Sequence, residues 1–292
     1  MNRIRESGFI QGVIYLVVVA VILMGGYYLA IALIPTPKIG IIELKSPVGS
    51  STALRMSREI DFVLNSRDIK GVVLEINSPG GIASAGYDIY FQVRRLREAK
   101  PVVVSIDSLA ASAAYQISVA GNEIYAKPAS FIGNVGAIFR SPGRQTLSET
   151  IITTGPFKST GASATDVVQK LELLHADFRD SVIAERTAAP NPITLTSDEL
   201  ATGEIWMGIE AKQFGLIDEL GSRLDAIEAV ARLANLKNYE VVDVRDEFLA
   251  SLAQDQLQTA LTLYEAEAQA EFDLAAQELD WPTFYQIYIP LE

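Results

Sequence analysis

The sequence of 292 residues contains no cysteine and a single histidine, His175. Without cysteine there is no disulfide, no thiolate nucleophile and no cysteine-bearing zinc site. With one imidazole, a Ser-His-Asp arrangement depends wholly on His175. Basic residues are also in short supply, with 24 Lys+Arg against 36 Asp+Glu and a net charge of −12. A nucleic-acid partner is not expected from that balance, because phosphates are bound by Lys and Arg. No metal site and no cofactor is expected. Charged residues make up only 21% of the chain and apolar residues 49%. That is ample for a core and too apolar for disorder. The length suits one large α/β domain with additions.

Charge is also absent locally. No charged residue stands between Glu6 and Lys38, and residues 9–34 are almost continuously apolar. A helix of ~20 apolar residues spans a bilayer core, so this run is expected to be a single-pass transmembrane anchor. A cleaved signal peptide is the alternative, with Ala30-Ile31-Ala32 as its site, but a signal core is usually about 7–15 residues. Arg3 and Arg5 precede the run. They place the amino terminus in the cytoplasm and the body of the chain outside it, at the cell membrane. Pro35-Thr36-Pro37 is a stiff link to the body. The expected organisation is residues 1–38 as stub, anchor and linker, 39–245 as the working domain, and 246–292 as a helical acidic tail. After Arg245 come ten acidic residues and no Lys or Arg. Most of the negative charge therefore belongs to the tail, and the middle of the chain is nearly balanced.

Beyond the linker, short β-rich runs alternate with helical patterns. Residues 39–44, 72–76, 102–106, 122–126 and 135–139 read as strands. Residues 51–66, 84–98, 112–120, 165–187, 208–214 and 222–235 read as helices, with a helix start at 196–199. Such alternation favours a parallel α/β sheet. Val72-Val73-Leu74-Glu75-Ile76-Asn77-Ser78 and Val102-Val103-Val104-Ser105-Ile106-Asp107-Ser108 form a faint strand–turn–helix repeat. Stacked repeats of this kind bring loops 77–83 and 107–113 side by side, at the strand ends where such sheets bind ligands.

Two of these loops carry candidate chemistry. Asn77-Ser78-Pro79-Gly80-Gly81 follows a buried strand, and its glycines can leave N–H groups open to a ligand or simply make a tight turn. Ser112, in Ala110-Ala111-Ser112-Ala113-Ala114-Tyr115, sits where a strand enters a helix. Small neighbours let a carbonyl approach its hydroxyl, and a helix start favours a developing oxyanion. Ser112 could equally be an ordinary helix cap. The surroundings are not the G-x-S-x-G elbow, which disfavours an α/β-hydrolase. A nucleophilic serine needs a base. His175 falls inside a helix among Leu171, Leu173, Leu174 and Phe178, where a structural role is the more common one. Lys158 lies in Gly155-Pro156-Phe157-Lys158-Ser159-Thr160-Gly161. Phe157 could shield its ammonium there and lower its pKa, although loop lysines are usually solvated.

Taken in order, these motifs resemble the signal peptide peptidase A family of membrane-anchored Ser/Lys peptidases. The resemblance runs from about Ile39 to Leu236 and also includes Ile132-Gly133-Asn134-Val135-Gly136 and Gly215-Leu216-Ile217-Asp218-Glu219-Leu220-Gly221. It implies a ClpP/crotonase-like spiral of strand–turn–helix units, with Ser112 as nucleophile and Lys158 as general base. The N–H groups of Gly81 and Ala113 would form the oxyanion hole, with Gly80 and Ile82 beside the substrate. The implied substrates are remnant signal peptides and other unfolded or hydrophobic peptides. The implied partner is further copies of the chain in a ring that can complete the dyad between subunits. The chain departs from the family at Ala113 and Ala114, where relatives have glycine, and at Asn134, where relatives often have serine. A catalytically inactive membrane scaffold and a crotonase-like acyl-CoA enzyme are the competing readings.

Overall fold

The computed structural model describes residues 2–33, 36–139 and 163–278. The chain divides into two units, residues 1–244 and 245–292.

A long helix, α1 (Asn2–Leu33), opens the first unit. Every described side chain from Ile10 to Gly26 is exposed. Among the described residues no helix is long and apolar enough to cross a membrane.

The body follows as β1 (Lys38–Leu44), α2 (Ser50–Asn65), β2 (Ile69–Ser78), α3 (Ala83–Ala99), β3 (Val102–Ala111) and α4 (Ala113–Ser118). Next come β4 (Glu123–Ala126), β5 (Phe131–Gly133), α5 (Ala164–Thr187), α6 (Ser197–Leu200), β6 (Ile205–Met207) and α7 (Gly208–Gln213). The last elements are β7 (Glu219–Leu220), α8 (Arg223–Leu233), β8 (Glu240–Asp243) and α9 (Val244–Glu278), which continues into the second unit.

One sheet runs β6-β5-β3-β2-β1-β8, with β4 joining β3 and β7 off this path. Its pairs are parallel except β5–β6. The expectation of a mixed α/β fold on a parallel sheet is met. The central strands are buried on both faces, which is why they read as apolar runs rather than alternating ones. Val72, Leu74 and Ile76 enter the larger core with α2, α3 and α4, while Val73 and Val103 enter a smaller core with Ile227 and Val230 of α8.

Strand β3 positions the site. Its first half pairs with β4 at Val103–Ile106, and its end pairs with β5 at Leu109–Ala111. The register against β2 slips between the Ile76–Ile106 and Ser78–Ala110 pairs. The chain therefore leaves the main sheet just before Ser112. One sequence expectation needs correction here. The strand read at 135–139 lies instead at β5, and residues 134–139 are irregular. Gly133 (φ 112°) and Asn134 (φ 55°) turn the chain there, and the Asn134 N–H donates to the Glu204 carbonyl.

Candidate active site

Ser112 joins the end of β3 to α4 in a conformation that side-chain-bearing residues rarely adopt, φ 55° and ψ −128°. Such strain costs about 1–3 kcal/mol and persists only where the surroundings enforce it. Here the Ser112 N–H donates to the Gly133 carbonyl at 2.9 Å, and the Ser112 carbonyl accepts from the N–H groups of Tyr115 and Gln116. Although it occupies the cap position of α4, its hydroxyl makes no cap hydrogen bond. A serine kept for capping would accept from the helix start. Among the described residues the Ser112 Oγ makes no such bond.

The Asn77–Gly81 loop lies directly against this turn, as the repeat suggested. Buried Ser78 donates its hydroxyl to the Ser46 carbonyl at 2.7 Å and accepts from the Gly80 N–H. Val48 then clamps the loop: its N–H donates to the Gly80 carbonyl and its carbonyl accepts from the Ile82 N–H. Those bonds leave the Gly81 N–H on the opposite side. Among the described residues neither the Gly81 nor the Ala113 N–H has a hydrogen-bond partner. Gly81, Ser112 and Ala113 line one cavity.

Gly80 backs onto the serine turn rather than facing open space. A Cβ there would stand 2.5 Å from the Ala111 carbonyl oxygen and 2.8 Å from Ser112 Cβ, and Gly80 has φ +84°. Gly80→Ala is therefore expected to push the Ser112 turn aside. A misplacement of 1 Å can cost about 100-fold in rate, and the rate of fluorophosphonate labelling would show it.

A cavity of about 210 Å³ opens beside Ser112, lined by Gly81, Ile82, Ala83, Tyr87, Ala113, Gln116, the 136–138 segment, Leu174 and Phe178. Ile82 thus meets the cavity, while Gly80 lies behind it. None of the described lining residues is His, Lys, Asp or Glu. The one ionisable group, Tyr87, donates to Asp177, and burial together with that carboxylate pushes its pKa up to about 12. It cannot serve as a base near neutral pH. His175 lines a neighbouring hollow with Asn134, Glu172 and Thr202, one that Ser112 does not line. Asn134 donates its side-chain amide to the Gly203 carbonyl at 2.8 Å. Lys158 lies outside the described residues.

The pattern 215–221 explains how α4 is held. Buried Tyr115 donates its hydroxyl to the Leu216 carbonyl at 2.8 Å, and burial pushes its pKa up. The Leu216 segment is fixed in turn by Arg186. Its guanidinium grips Asp218 through two 2.9 Å bonds and also donates to the carbonyls of Gly215 and Asn191. Asp218 accepts as well from the Ile124 and Asn191 N–H groups. Arg186 and Asp218 are both buried, and every charged atom of the pair has a partner. Sequence reading missed Arg186, which looks like any polar residue on a helix. It also missed Leu174 and Phe178, although their i, i+4 spacing on α5 marks one apolar face.

The model for "Peptidase family S49" matches residues 94–237, and that for "Clp protease" matches residues 36–132. A protein of Methanocaldococcus jannaschii that carries a protease name is 30% identical over 197 residues, which cover 63% of this chain and 62% of that one. Protease 4 of Salmonella typhi is 33% identical over 219 residues, 70% of this chain and 34% of its own. The chain thus spans less than two thirds of either relative. Among solved structures, a mutant of the 1510-N membrane-bound stomatin-specific protease superposes with a TM-score of 0.53 at 15% identity, covering 72% of this chain and 98% of that one. At that identity the likeness shows shared fold alone. Over residues 94–237, which hold the Ser112 turn and its Arg186–Asp218 support, the chain is similar to peptidase family S49.

Proposed function

We propose that this chain is a membrane-anchored serine endopeptidase that uses Ser112 as nucleophile and Lys158 as general base. The observation that carries the reading is Ser112 itself: strained, uncapped, facing a cavity and flanked by the open N–H groups of Gly81 and Ala113. In the reaction, Oγ of Ser112 attacks a peptide carbonyl and its proton passes to Nζ of Lys158. The carbonyl oxygen becomes an oxyanion held by the two N–H groups, each worth about 3 kcal/mol of barrier. Collapse expels the amine, which takes the proton from Lys158. Water then hydrolyses the acyl-enzyme by the same steps. The described cavity lining offers no base of its own, which favours one from outside the described residues. Lys158 is the residue the family pattern assigns to that role, from the same chain or from a neighbouring copy in a homo-oligomeric ring.

The substrates in this reading are remnant signal peptides and other unfolded, hydrophobic peptides, consistent with the Ile82, Leu174 and Phe178 walls. The anchor is α1, uncharged from residue 7 to 37, in a cell membrane with the peptidase domain outside the cytoplasm. Residues 1–38, 39–245 and 246–292 serve as anchor, peptidase domain and acidic helical tail. A lysine is a base only when neutral. Cleavage of an unstructured peptide by the full chain in detergent is therefore expected to rise with pH through the pKa of Lys158 and then level off. A rate that stays flat from neutral to alkaline pH would remove lysine as the base.

A further inference from the structure

In a planar trans peptide the carbonyl and the N–H point in opposite directions. Whatever holds the Gly80 carbonyl therefore also aims the Gly81 N–H. Val48 holds it, through an N–H bond of 2.9 Å, and the Val48 carbonyl accepts from the Ile82 N–H at 2.8 Å. Residues 45–47, which lead into Val48, are exposed and irregular. Two hydroxyls tie them down. Thr52 of α2 donates to the Pro47 carbonyl at 3.1 Å, and Ser78 donates to the Ser46 carbonyl at 2.7 Å. Ser78 also accepts from the Gly80 N–H at 3.2 Å. One hydroxyl thus holds the glycine loop directly at Gly80 and indirectly through the stretch that carries Val48. Ser78 is the last residue of β2, fully buried, and the register slip pairs it with Ala110, two residues before Ser112.

We propose that Ser78 is a positioning residue whose hydroxyl sets the plane of the 80–81 peptide and so points the Gly81 N–H at the developing oxyanion. The proposal rests on Ser112 being the nucleophile and Gly81 an oxyanion donor. A hydroxyl suits the task because it donates and accepts at once. Pro79 has no N–H to compete for it, so the first N–H ahead of Ser78 is that of Gly80, two residues on, where serine hydroxyls commonly bond. Alanine at position 78 fills the strand end as well, but it leaves the Gly80 N–H and the Ser46 carbonyl without this partner. The 80–81 peptide is then free to rock. A misaimed donor costs most where the oxygen carries full negative charge, in the transition state rather than in the bound substrate.

The test compares the full-length wild type, Ser78→Ala and Ser78→Cys in detergent on one unstructured peptide. Cysteine keeps the shape of serine but bonds hydrogen weakly, so it covers a failure of the alanine variant to fold. Both variants are expected to lower kcat by about tenfold or more with KM unchanged. A peptide aldehyde, which forms an oxyanion-like hemiacetal on Ser112, should lose affinity by the same factor, while the matching peptide alcohol binds as before. Ile227→Val, in the smaller core with α8, is the control for stability alone and should lower the melting temperature while keeping kcat. Wild-type kcat and aldehyde affinity in a folded Ser78 variant would overturn the proposal and leave the peptidase reading standing. So would equal losses for aldehyde and alcohol, the mark of a general binding defect, or a kcat loss of the same size in Ile227→Val. Turnover that survives Ser112→Ala, or none by the wild type, would instead overturn the peptidase reading and this inference with it.

Discussion

Ser112→Ala is expected to lower kcat/KM on an unstructured peptide by about 10⁴-fold or more while leaving the melting temperature unchanged. The size of the loss follows from removing a nucleophile, which leaves only the rate that binding and the oxyanion donors supply. The unchanged stability is the more specific expectation. Replacing a serine that caps a helix typically costs about 1 kcal/mol. The Ser112 hydroxyl makes no cap bond, so its removal forfeits none, and alanine at the same φ and ψ carries comparable backbone strain. Activity assays with thermal melts of the same preparations check both halves. A melting point that fell with little loss of turnover would make Ser112 a cap after all.

Arg186→Met is expected to destabilise the protein by about 3–5 kcal/mol, because it strands Asp218 as an uncompensated buried charge. At this chain length each kcal/mol moves the melting point by roughly 2–4 °C. The variant should therefore melt roughly 6–20 °C lower. Removing both charges with Arg186→Met and Asp218→Leu should recover part of the loss, since it is the unpaired ion rather than the missing attraction that costs most. Activity should fall with stability. Asp218 fixes the Leu216 segment, and that segment holds Tyr115 three residues past Ser112. Thermal melts of the single and double variants decide it. Equal stability of Arg186→Met and wild type would remove this support from the account of the site.

Much of the site could be read from the chain because its parts are local. The run Val72–Ile76 followed by Pro79-Gly80-Gly81, and Val102–Ile106 followed by small residues to Ser112, each signal a buried strand ending in a special turn. The elements that long-range pairing creates were not legible. Strands β6, β7 and β8 have only two to four residues each and exist because β5, β4 and β1 offer partners. The same holds for residues 134–139. Their apolar pattern suits a strand, but the backbone turns at Gly133 and Asn134 and brings them to the cavity instead. Arg186 carries no motif at all. Its role follows from the buried carboxylate of Asp218 beside it.

The central claim is that Ser112 is a reactive nucleophile supported by Lys158. Labelling the full chain with a fluorophosphonate and mapping the adduct by mass spectrometry tests it most directly. The account predicts a single adduct on Ser112 in the wild type, none in Ser112→Ala, and labelling slowed by at least 100-fold in Lys158→Ala, as befits loss of a general base. Equal labelling of all three proteins, or an adduct on another serine, would contradict it.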